Sequence, residues 1–268
     1  MQAPRLVATD VDGTLLDPED RVPPRAAAVI GRLTAAGVGF CLVTGRPPRW
    51  IPQVAAQVPE VRLVVCANGG VLYDAADDRV VWSRTLAPEV LADLAARVDE
   101  TLPGSRLAVE RVPTGAADAR PFVAEPEYRH AWPSGADMVE ERADVLSQPA
   151  VKLLVRNPEL SSDAMVAVLD PVLGHAADLT FSTGRGLVEL SPRGVTKASG
   201  LAEVARRHGV SAADVVAFGD MPNDLEMLRW AGHGVAMGNA HPALLDVADE
   251  VTASNGEDGL ALVLERWF

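Results

Sequence analysis

Short apolar runs that end in aspartate or glycine alternate with alanine-rich helical patterns near both ends of this chain. In the amino-terminal region the run RLVATD is typical of a buried strand, and the helical pattern after it begins at Pro23-Pro24 and stops at Gly37. The strand-like runs VGFCLVTG and VRLVVCANGG follow, with a helix expected between them from about Pro48 to Val58. This alternation is typical of parallel strands covered by helices. We therefore expect an α/β fold, built on a parallel sheet with helices on both faces.

The same alternation returns near the carboxyl terminus. KASGLAEVARRHG is an amphipathic helical pattern that ends at Gly209, and DVVAFGD and HGVAMG are apolar runs of strand length. PNDLEMLRWAG and EDGLALVLERWF are helical patterns, and DEVTAS has the length of a short strand. We expect these elements to join the amino-terminal strands in one discontinuous domain.

The sequence between these two regions has a different pattern. GVLYDAADDRVVW alternates around an Asp-rich turn, as in a hairpin. Beyond it, the helical pattern PEVLADLAARVDETL is mixed with strand-like runs such as SRLAVERV and AVKLLVRN, and none of these strands ends in aspartate. We therefore predict an inserted α+β domain at residues 83–185, with residues 1–82 and 186–268 forming the α/β core.

Composition limits the partners that the protein can have. The chain has 268 residues, and its 24 basic and 37 acidic side chains give a formal net charge of −13, which would repel nucleic acid and acidic membrane surfaces. No apolar run is long enough to span a bilayer, and no basic segment precedes an apolar stretch at the amino terminus. We expect a cytoplasmic protein with no nucleic-acid or membrane partner. Cys41 and Cys66 lie in apolar runs and are expected to be free, buried thiols.

Polar residues cluster where the predicted strands end or where the predicted helices begin. In an open parallel sheet, ligands bind outside the carboxyl ends of the strands, so these clusters can converge on one site. Each cluster taken alone also fits a turn, a strand exit or a helix cap. The clusters are Asp10 with Asp12, Thr44-Gly45-Arg46, Lys197, and Asp220 with Asn223 and Asp224.

The first cluster poses a physical problem. Asp10 and Asp12 are one residue apart, and carboxylates that lie close together repel each other and raise each other's pKa. A protein that keeps such a pair supplies a cation or leaves one carboxyl protonated. The sequence is therefore compatible with a metal site near the end of the first strand.

The four clusters together are similar to a known set of motifs. DVDGTLL, LVTGR, SPRGVTK and GDMPNDLEML resemble the four motifs of the haloacid dehalogenase (HAD) superfamily of phosphohydrolases. NGG at Asn68, GVAMGNA and VTASNGEDG look like its Cof-type sugar-phosphate phosphatase branch. The resemblance implies a HAD-like, Rossmann-like core. It also implies a cap domain of the C2B type, because the insertion follows the third strand and not the first.

The resemblance also implies roles for the acidic residues and the lysine. Asp10 would be the nucleophile that forms an aspartyl-phosphate, and Asp12 would protonate the leaving oxygen and then activate water. Lys197 would neutralise charge on the phosphoryl oxygens. The implied cofactor is Mg²⁺, with a ligand set of Asp10, Asp12 through its backbone carbonyl, Asp220 and, through water, Asp224.

Phosphate and substrate contacts are implied in the same way. The expected phosphate-binding residues are Val11 at its backbone, Thr44, Gly45 at its backbone N–H, Lys197 and Asn223. Arg46 is a candidate for substrate contact beside the phosphate loop. Within the insertion, Arg129, His130 and Trp132 are further candidates, although each also fits an ordinary surface loop.

The leading hypothesis is a Mg²⁺-dependent phosphatase that acts on a small phosphorylated metabolite, such as a sugar phosphate or a flavin-related phosphate. A phosphosugar mutase or a C2-capped phosphatase dedicated to one sugar is an alternative within enzymes. A non-catalytic sensor of a phosphorylated metabolite or metal on the same fold is an alternative outside them, although a sensor has no need for the acid Asp12. We expect a monomer or a homodimer.

Overall fold

The computed structural model describes residues 3–112, 121–131 and 138–268, so the candidate Trp132 lies outside the described residues. The strands are β1 (Leu6–Thr9), β2 (Gly39–Val43), β3 (Leu63–Cys66), β4 (Val71–Asp74), β5 (Arg79–Ser83), β6 (Arg106–Arg111), β7 (Phe122–Ala124), β8 (Met138–Val139), β9 (Ala150–Arg156), β10 (Ala177–Thr180), β11 (Leu187–Pro192), β12 (Val215–Gly219), β13 (His233–Ala236) and β14 (Glu250–Val251). The helices are α1 (Pro24–Ala35), α2 (Pro52–Ala55), α3 (Pro88–Thr101), α4 (Arg142–Val145), α5 (Ser162–Leu173), α6 (Lys197–His208), α7 (Leu225–Trp230), α8 (Pro242–Leu245) and α9 (Gly259–Leu264).

The first sheet joins the two ends of the chain. Its strand order is β14-β13-β12-β1-β2-β3-β4-β5, and the strands from β14 to β3 are all parallel. The hairpin β4–β5 extends the sheet in the antiparallel sense, so the sheet is mixed at this edge. The apolar runs of the parallel strands are buried because helices cover both faces. The predicted α/β fold is confirmed.

Two apolar clusters hold the helices against this sheet. One cluster joins one face of the sheet to α1 and α9, and the other joins the opposite face to α6 and α7. Cys41 and Cys66 are buried in the two clusters as free thiols, as the sequence predicted. Among the described residues, none of the helices is long and apolar enough to cross a membrane.

The second sheet is formed by the strands of the insertion. Its order is β10-β11-β9-β6-β7-β8, and a separate apolar cluster packs α3 and α5 against it. This α+β arrangement agrees with the predicted cap domain. The predicted boundary at residues 185/186 assigns β11 to the core, whereas β11 pairs with β9 and β10 of the second sheet. We therefore propose that the chain crosses back to the core after Pro192.

The helix expected from Pro48 to Val58 is not continuous. A 3₁₀ turn covers Pro48–Trp50, and α2 covers only Pro52–Ala55. Pro52 has no N–H to donate to the carbonyl of Pro48, so an α-helical hydrogen bond is missing at this point. The segment is therefore broken into two short turns, which follow the loop after β2.

Helix α6 begins where the chain returns to the first sheet. The Thr196 side chain accepts from the Ser199 backbone N–H, and the Ser199 hydroxyl accepts from the Thr196 N–H, which satisfies donors at the helix start. Lys197 is therefore the first residue of a firmly capped helix. Gly69 lies against this start with a φ of 96°, and a Cβ there would lie 2.1 Å from the Thr196 carbonyl oxygen.

We expect Gly69→Ala to lower the free energy of unfolding by about 2 to 4 kcal/mol, because it combines backbone strain with a backbone clash. Gly104→Ala is the matched control, since Gly104 has a similar φ of 87° and nothing within 4 Å of the added methyl group. Strain alone should cost that control about 1 kcal/mol. Urea unfolding measures both variants, and equal losses would contradict the close approach at Thr196.

Candidate active site

The four polar clusters meet at the carboxyl ends of three neighbouring strands. Asp10 follows β1, Thr44 follows β2 and Asp220 follows β12, which are adjacent in the first sheet. Lys197 reaches the same point from the start of α6, and Asn223 reaches it from the turn before α7. The structure therefore brings together residues that are up to about 200 positions apart in sequence.

A buried lysine links two carboxylates at the centre of the site. Lys197 Nζ lies 2.7 Å from Asp10 Oδ1 and 2.7 Å from Asp224 Oδ1. The side chains of Lys197 and Asp224 are inaccessible to solvent, and Asp10 is buried. Burial acts to lower the pKa of Lys197, but the carboxylates of Asp10 and Asp224 outweigh it and raise that pKa above its ordinary value. Lys197 is therefore a permanent cation at neutral pH.

Asp10, Asp220 and Asp224 form a buried acidic cluster whose carboxylate oxygens lie within 4.8 Å of one another. Burial raises the pKa of Asp10 well above its ordinary value, against the opposing effect of Lys197. Burial and the neighbouring Asp224 raise the pKa of Asp220 to about 7. One lysine does not balance three carboxylates, and hard cations prefer such oxygen donors. The cluster can therefore bind a divalent metal ion.

The contacts of Asp224 differ from those of its two neighbours. Its Oδ1 accepts from Lys197, and its Oδ2 accepts from the backbone N–H groups of Asp220 and Met221 at 3.1 Å each. Both oxygens are thus already hydrogen-bonded within the protein. Asp10 and Asp220 retain more acceptor capacity for a metal, and the main contact of Asp224 is with Lys197.

Two residues of the first loop support Asp220. The Thr14 hydroxyl donates to Asp220 Oδ1 at 2.9 Å. A Cβ at Gly13, where φ is 74°, would lie 2.2 Å from Asp220 Oδ2, so this close approach excludes a larger residue. Sequence reasoning did not assign Thr14 a role, although it belongs to the quoted motif DVDGTLL. The loop after β1 therefore orients a carboxylate that lies 206 positions later.

Asp12 points away from the acidic cluster. Its side chain is 56% exposed and accepts from Arg46 in a bidentate pair, at 2.8 Å from Nε and 2.6 Å from Nη2. The two neighbouring aspartates thus face two different cations, Lys197 for Asp10 and Arg46 for Asp12. Each of the two aspartates is therefore paired with its own cation, which offsets part of the repulsion between them. Arg46 lies in the loop after β2 and lines the cavity with Asp12.

The loop after β2 is braced by a second turn. Thr44 is buried, and its Oγ1 accepts from the Arg46 backbone N–H at 3.0 Å. The Asn68 N–H donates to the Thr44 carbonyl, and the Ala67 N–H donates to the Arg46 carbonyl, at 3.0 Å each. A Cβ at Gly45 would lie 3.1 Å from Asn68 Oδ1. The turn that contains Asn68 therefore holds the loop in place.

Val11 continues the loop between the two aspartates. Its side chain is fully buried in the apolar cluster, and its carbonyl accepts from the Leu16 N–H at 2.9 Å. The side chain anchors the loop, which leaves the backbone as the only part of Val11 that could meet a phosphate.

A cavity of about 590 Å³ opens between the two sheets. Asp10 and Arg46 line its core side, and Phe122 and His130 line its side in the insertion. Of the other candidates in the insertion, Arg129 is exposed and is not among the lining residues. The core side of the cavity is thus charged, and its side in the insertion carries aromatic rings.

Buried charged residues of the second sheet also reach this cavity, and sequence reasoning did not assign them a role. Lys152 on β9 forms an ion pair with Glu189 on β11, and Lys152 Nζ also donates to the Gly45 carbonyl at 3.0 Å. Glu189 Oε2 accepts from Asn68 Nδ2 at 3.1 Å. Single charged residues inside the apolar runs AVKLLVR and LVELSP were the available signal.

Comparison with known proteins places the chain in a family. The family model for haloacid dehalogenase-like hydrolases matches residues 7–264. The chain is 29% identical to the 5-amino-6-(5-phospho-D-ribitylamino)uracil phosphatase YitU of Bacillus subtilis (strain 168), over 99% of this chain and 98% of the relative. It is 30% identical to the HMP-PP phosphatase of Serratia proteamaculans (strain 568), over 98% of this chain and 95% of the relative.

A solved structure agrees with this placement. The structure is similar to that of a haloacid dehalogenase-like hydrolase from Bacteroides thetaiotaomicron, with a TM-score of 0.74 and 25% identity, over 99% of this chain and 100% of the other. The four motifs, the two-sheet architecture and the whole-chain match agree. The chain therefore belongs to the haloacid dehalogenase-like hydrolase family.

Proposed function

We propose that the protein is a Mg²⁺-dependent phosphatase that hydrolyses a small phosphorylated metabolite through an aspartyl-phosphate. The observation that carries the proposal is the position of Asp10, which is buried between Lys197 and Asp220 and lines the cavity. The chain is a phosphoric monoester hydrolase, as its family and its relatives named as phosphatases support. The metal, the intermediate and the residue roles are the proposal.

The acidic cluster fits Mg²⁺ by its chemistry, because it offers carboxylate oxygens, and one of its members, Asp10, also lines the cavity. Asp10 and Asp220 would hold the ion, with the Asp12 backbone carbonyl, and Asp224 would act through water. When bound, Mg²⁺ neutralises the charge between the carboxylate nucleophile and the phosphoryl oxygens.

Asp10 and Asp12 divide the covalent chemistry. An Asp10 oxygen forms a bond to phosphorus as the bond from phosphorus to the leaving oxygen breaks, and Asp12 supplies the proton that the leaving oxygen takes. Asp12 then accepts a proton from the water that attacks the phosphoryl group and restores Asp10. Because the bidentate contact with Arg46 favours the ionised form of Asp12, we propose that this contact loosens before Asp12 carries a proton to the leaving oxygen.

The remaining site residues bind the phosphoryl group. Lys197 stays protonated and balances charge on the phosphoryl oxygens as well as on Asp10. The backbone of the loop after β2 offers donors beside the side chain of Asn223. The proposed set is Val11 at its backbone, Thr44, Gly45 at its backbone N–H, Lys197 and Asn223.

The cavity favours a leaving group of metabolite size. Its volume of about 590 Å³ fits a small molecule, and its wall from the second sheet carries Phe122, Leu154 and His130. The two relatives are named for phosphatases with different substrates, so the residues of this wall are the ones that we expect to distinguish leaving groups. We propose a sugar phosphate or a similar small phosphate ester.

The first test of the proposal is hydrolysis of p-nitrophenyl phosphate. We expect release of inorganic phosphate that requires Mg²⁺ and that falls by at least about a thousandfold in Asp10→Asn, because the amide is not a nucleophile. Asp214→Asn is the control, since Asp214 lies at the opposite end of β12.

Three outcomes would contradict the proposal. Turnover that survives in Asp10→Asn would exclude this nucleophile. With a sugar phosphate as the substrate, an isomeric phosphate in place of free phosphate would indicate a mutase. A folded protein that is inert on a broad panel of phosphate esters would favour the sensor.

Thr14→Val should weaken metal binding without changing the chemistry. The substitution removes the hydroxyl that donates to Asp220 and keeps the side-chain shape. We expect the Mg²⁺ concentration for half-maximal rate to rise about tenfold or more, with kcat at saturating Mg²⁺ retained. Thr252→Val is the control, because the Thr252 hydroxyl donates to the Gly259 carbonyl away from the site. An unchanged Mg²⁺ requirement would show that Thr14 does not orient a ligand.

Asp220→Asn should stabilise the metal-free protein at alkaline pH. The pKa of Asp220 is about 7 in the folded protein and has an ordinary value of 3.8. Between these values the folded state binds more protons than the unfolded state, so the contribution of Asp220 to the free energy of unfolding falls as the pH rises. We expect the variant to exceed the wild type by about 1 to 3 kcal/mol at pH 8 and to match it near pH 4. Urea unfolding in the presence of a chelator measures the difference.

Asp17→Asn is a control that should change the free energy of unfolding in the opposite direction. The backbone N–H of Arg21 is the main cause that lowers the pKa of the partly buried Asp17 below its ordinary value. Its carboxylate therefore stabilises the fold above its unfolded pKa, and this contribution is lost as the pH falls through the lower folded pKa. The substitution should destabilise the protein at pH 8. A gain from Asp220→Asn that does not grow between pH 4 and pH 8 would contradict the assignment.

A further inference from the structure

A row of buried polar groups crosses from the second sheet to the active site. Lys152 pairs with Glu189, and Glu189 Oε2 accepts from Asn68 Nδ2 at 3.1 Å. Asn68 Oδ1 in turn accepts from Asn223 Nδ2 at 3.1 Å. Glu189 is 1% exposed and Asn68 is 2% exposed. The row therefore links a strand of the insertion to a residue proposed to bind the phosphoryl group.

The chemistry of each member fixes the orientation of the next. A carboxylate paired with Lys152 can only accept hydrogen bonds, so Asn68 must turn its NH₂ group towards Glu189. The carbonyl oxygen of Asn68 then faces Asn223, and the NH₂ group of Asn223 donates to it. Neither amide can rotate by half a turn without placing two acceptors or two donors face to face.

Both carboxylate oxygens of Glu189 accept hydrogen bonds. The Ser182 hydroxyl donates to its Oε1 at 2.6 Å, while Lys152 and Asn68 donate to its Oε2. Lys152 Nζ also donates to the carbonyl of Gly45 in the phosphate loop. The backbone of Asn68 is fixed as well, because its N–H donates to the Thr44 carbonyl. The row therefore has little freedom to reorganise.

The far end of the row faces the reaction. Asn223 lines the cavity with Asp10, and its Nδ2 lies 3.8 Å from the position of a Cβ on Gly45. One N–H of this amide is used by Asn68, and the second remains for another acceptor. Asn223 Oδ1 is buried and has no hydrogen-bond partner among the residues that the structure describes. The orientation of this amide thus decides whether a donor or an acceptor meets a phosphoryl oxygen.

We propose that Glu189 is a positioning residue that acts through Asn68 to orient the amide of Asn223, so that an N–H is directed at the phosphoryl group. The inference rests on the proposed phosphatase function. Glu189 and Lys152 belong to the second sheet, whereas Asn68 and Asn223 follow strands of the first. The donor is therefore correctly oriented only while the insertion is docked on the core.

Glu189→Gln tests the proposal, because a glutamine amide can present either a donor or an acceptor to Asn68. We expect kcat on p-nitrophenyl phosphate to fall about tenfold or more, with the Mg²⁺ requirement unchanged. In the Asn223→Ala background, the same substitution should change kcat by less than about twofold, because the residue through which it acts is gone. An equal loss in both backgrounds would overturn the proposal.

Glu125→Gln is the matched control. Glu125 is also a buried glutamate of the insertion, ion-paired with Arg142 and bonded to the Leu107 N–H, and it makes no contact with the row. Its substitution should leave kcat unchanged. A fall equal to that of Glu189→Gln would show a general loss of cap structure and would overturn the proposal. If Glu189→Gln does not fold, Lys152→Met is added to remove the unpaired cation, and the cycle with Asn223→Ala is repeated.

Binding of inorganic phosphate in the presence of Mg²⁺, measured by calorimetry, separates this inference from the proposed function. We expect Glu189→Gln to weaken phosphate binding in the wild-type background and not in Asn223→Ala. Phosphate binding with this pattern but without turnover would refute the phosphatase and keep the positioning role. If the wild type turns over and Glu189→Gln changes neither the phosphate affinity nor kcat, the phosphatase is supported and the positioning role is refuted. A wild type that binds no phosphate would overturn both.

Discussion

The buried contacts of Lys197 with Asp10 and Asp224 are the interaction on which the site depends. They join the start of α6 to the ends of β1 and β12, so one cation fixes three separate segments of chain. Loss of the lysine would leave the buried carboxylates of Asp10 and Asp224 without a neighbouring cation, which costs far more than an exposed ion pair contributes. The capping of α6 by Thr196 and the approach of Gly69 can be understood as the means by which the lysine is delivered to that point.

The same electrostatics separates the two aspartates of the first loop. Asp10 is buried against Lys197, whereas Asp12 is exposed and held by Arg46. Two identical side chains one residue apart therefore meet different charges and different amounts of water, so the environments of the proposed nucleophile Asp10 and the proposed acid Asp12 differ. The excess of negative charge that remains at Asp10, Asp220 and Asp224 disfavours the metal-free site and favours a cation.

The sequence was sufficient for features that depend on local patterns. Apolar runs predicted the strands of the first sheet, and their terminal aspartates predicted the edge at which Asp10 and Asp220 meet. It was not sufficient where side chains meet across elements: the Thr14 contact with Asp220 and the Lys152–Glu189 pair depend on the packing of distant segments. The predicted return to the core after residue 185 and the proposed return after Pro192 differ for a related reason, because the strand pattern of β11 does not reveal which sheet it joins.

The second sheet contributes both an apolar wall and buried charge to the same cavity. Phe122 and Leu154 suit the body of a leaving group, whereas Lys152 and Glu189 contact the phosphate loop and Asn68. A surface that only selected substrates would have no reason to bury an ion pair, since a buried pair is weak evidence for stability. The Lys152–Glu189 pair is explained if it serves to orient other side chains. The carboxylate of Glu189 can only accept hydrogen bonds, so it fixes the amide of Asn68 and, through it, the amide of Asn223. Substrate selection and completion of the site would then depend on the same docking of one sheet on the other.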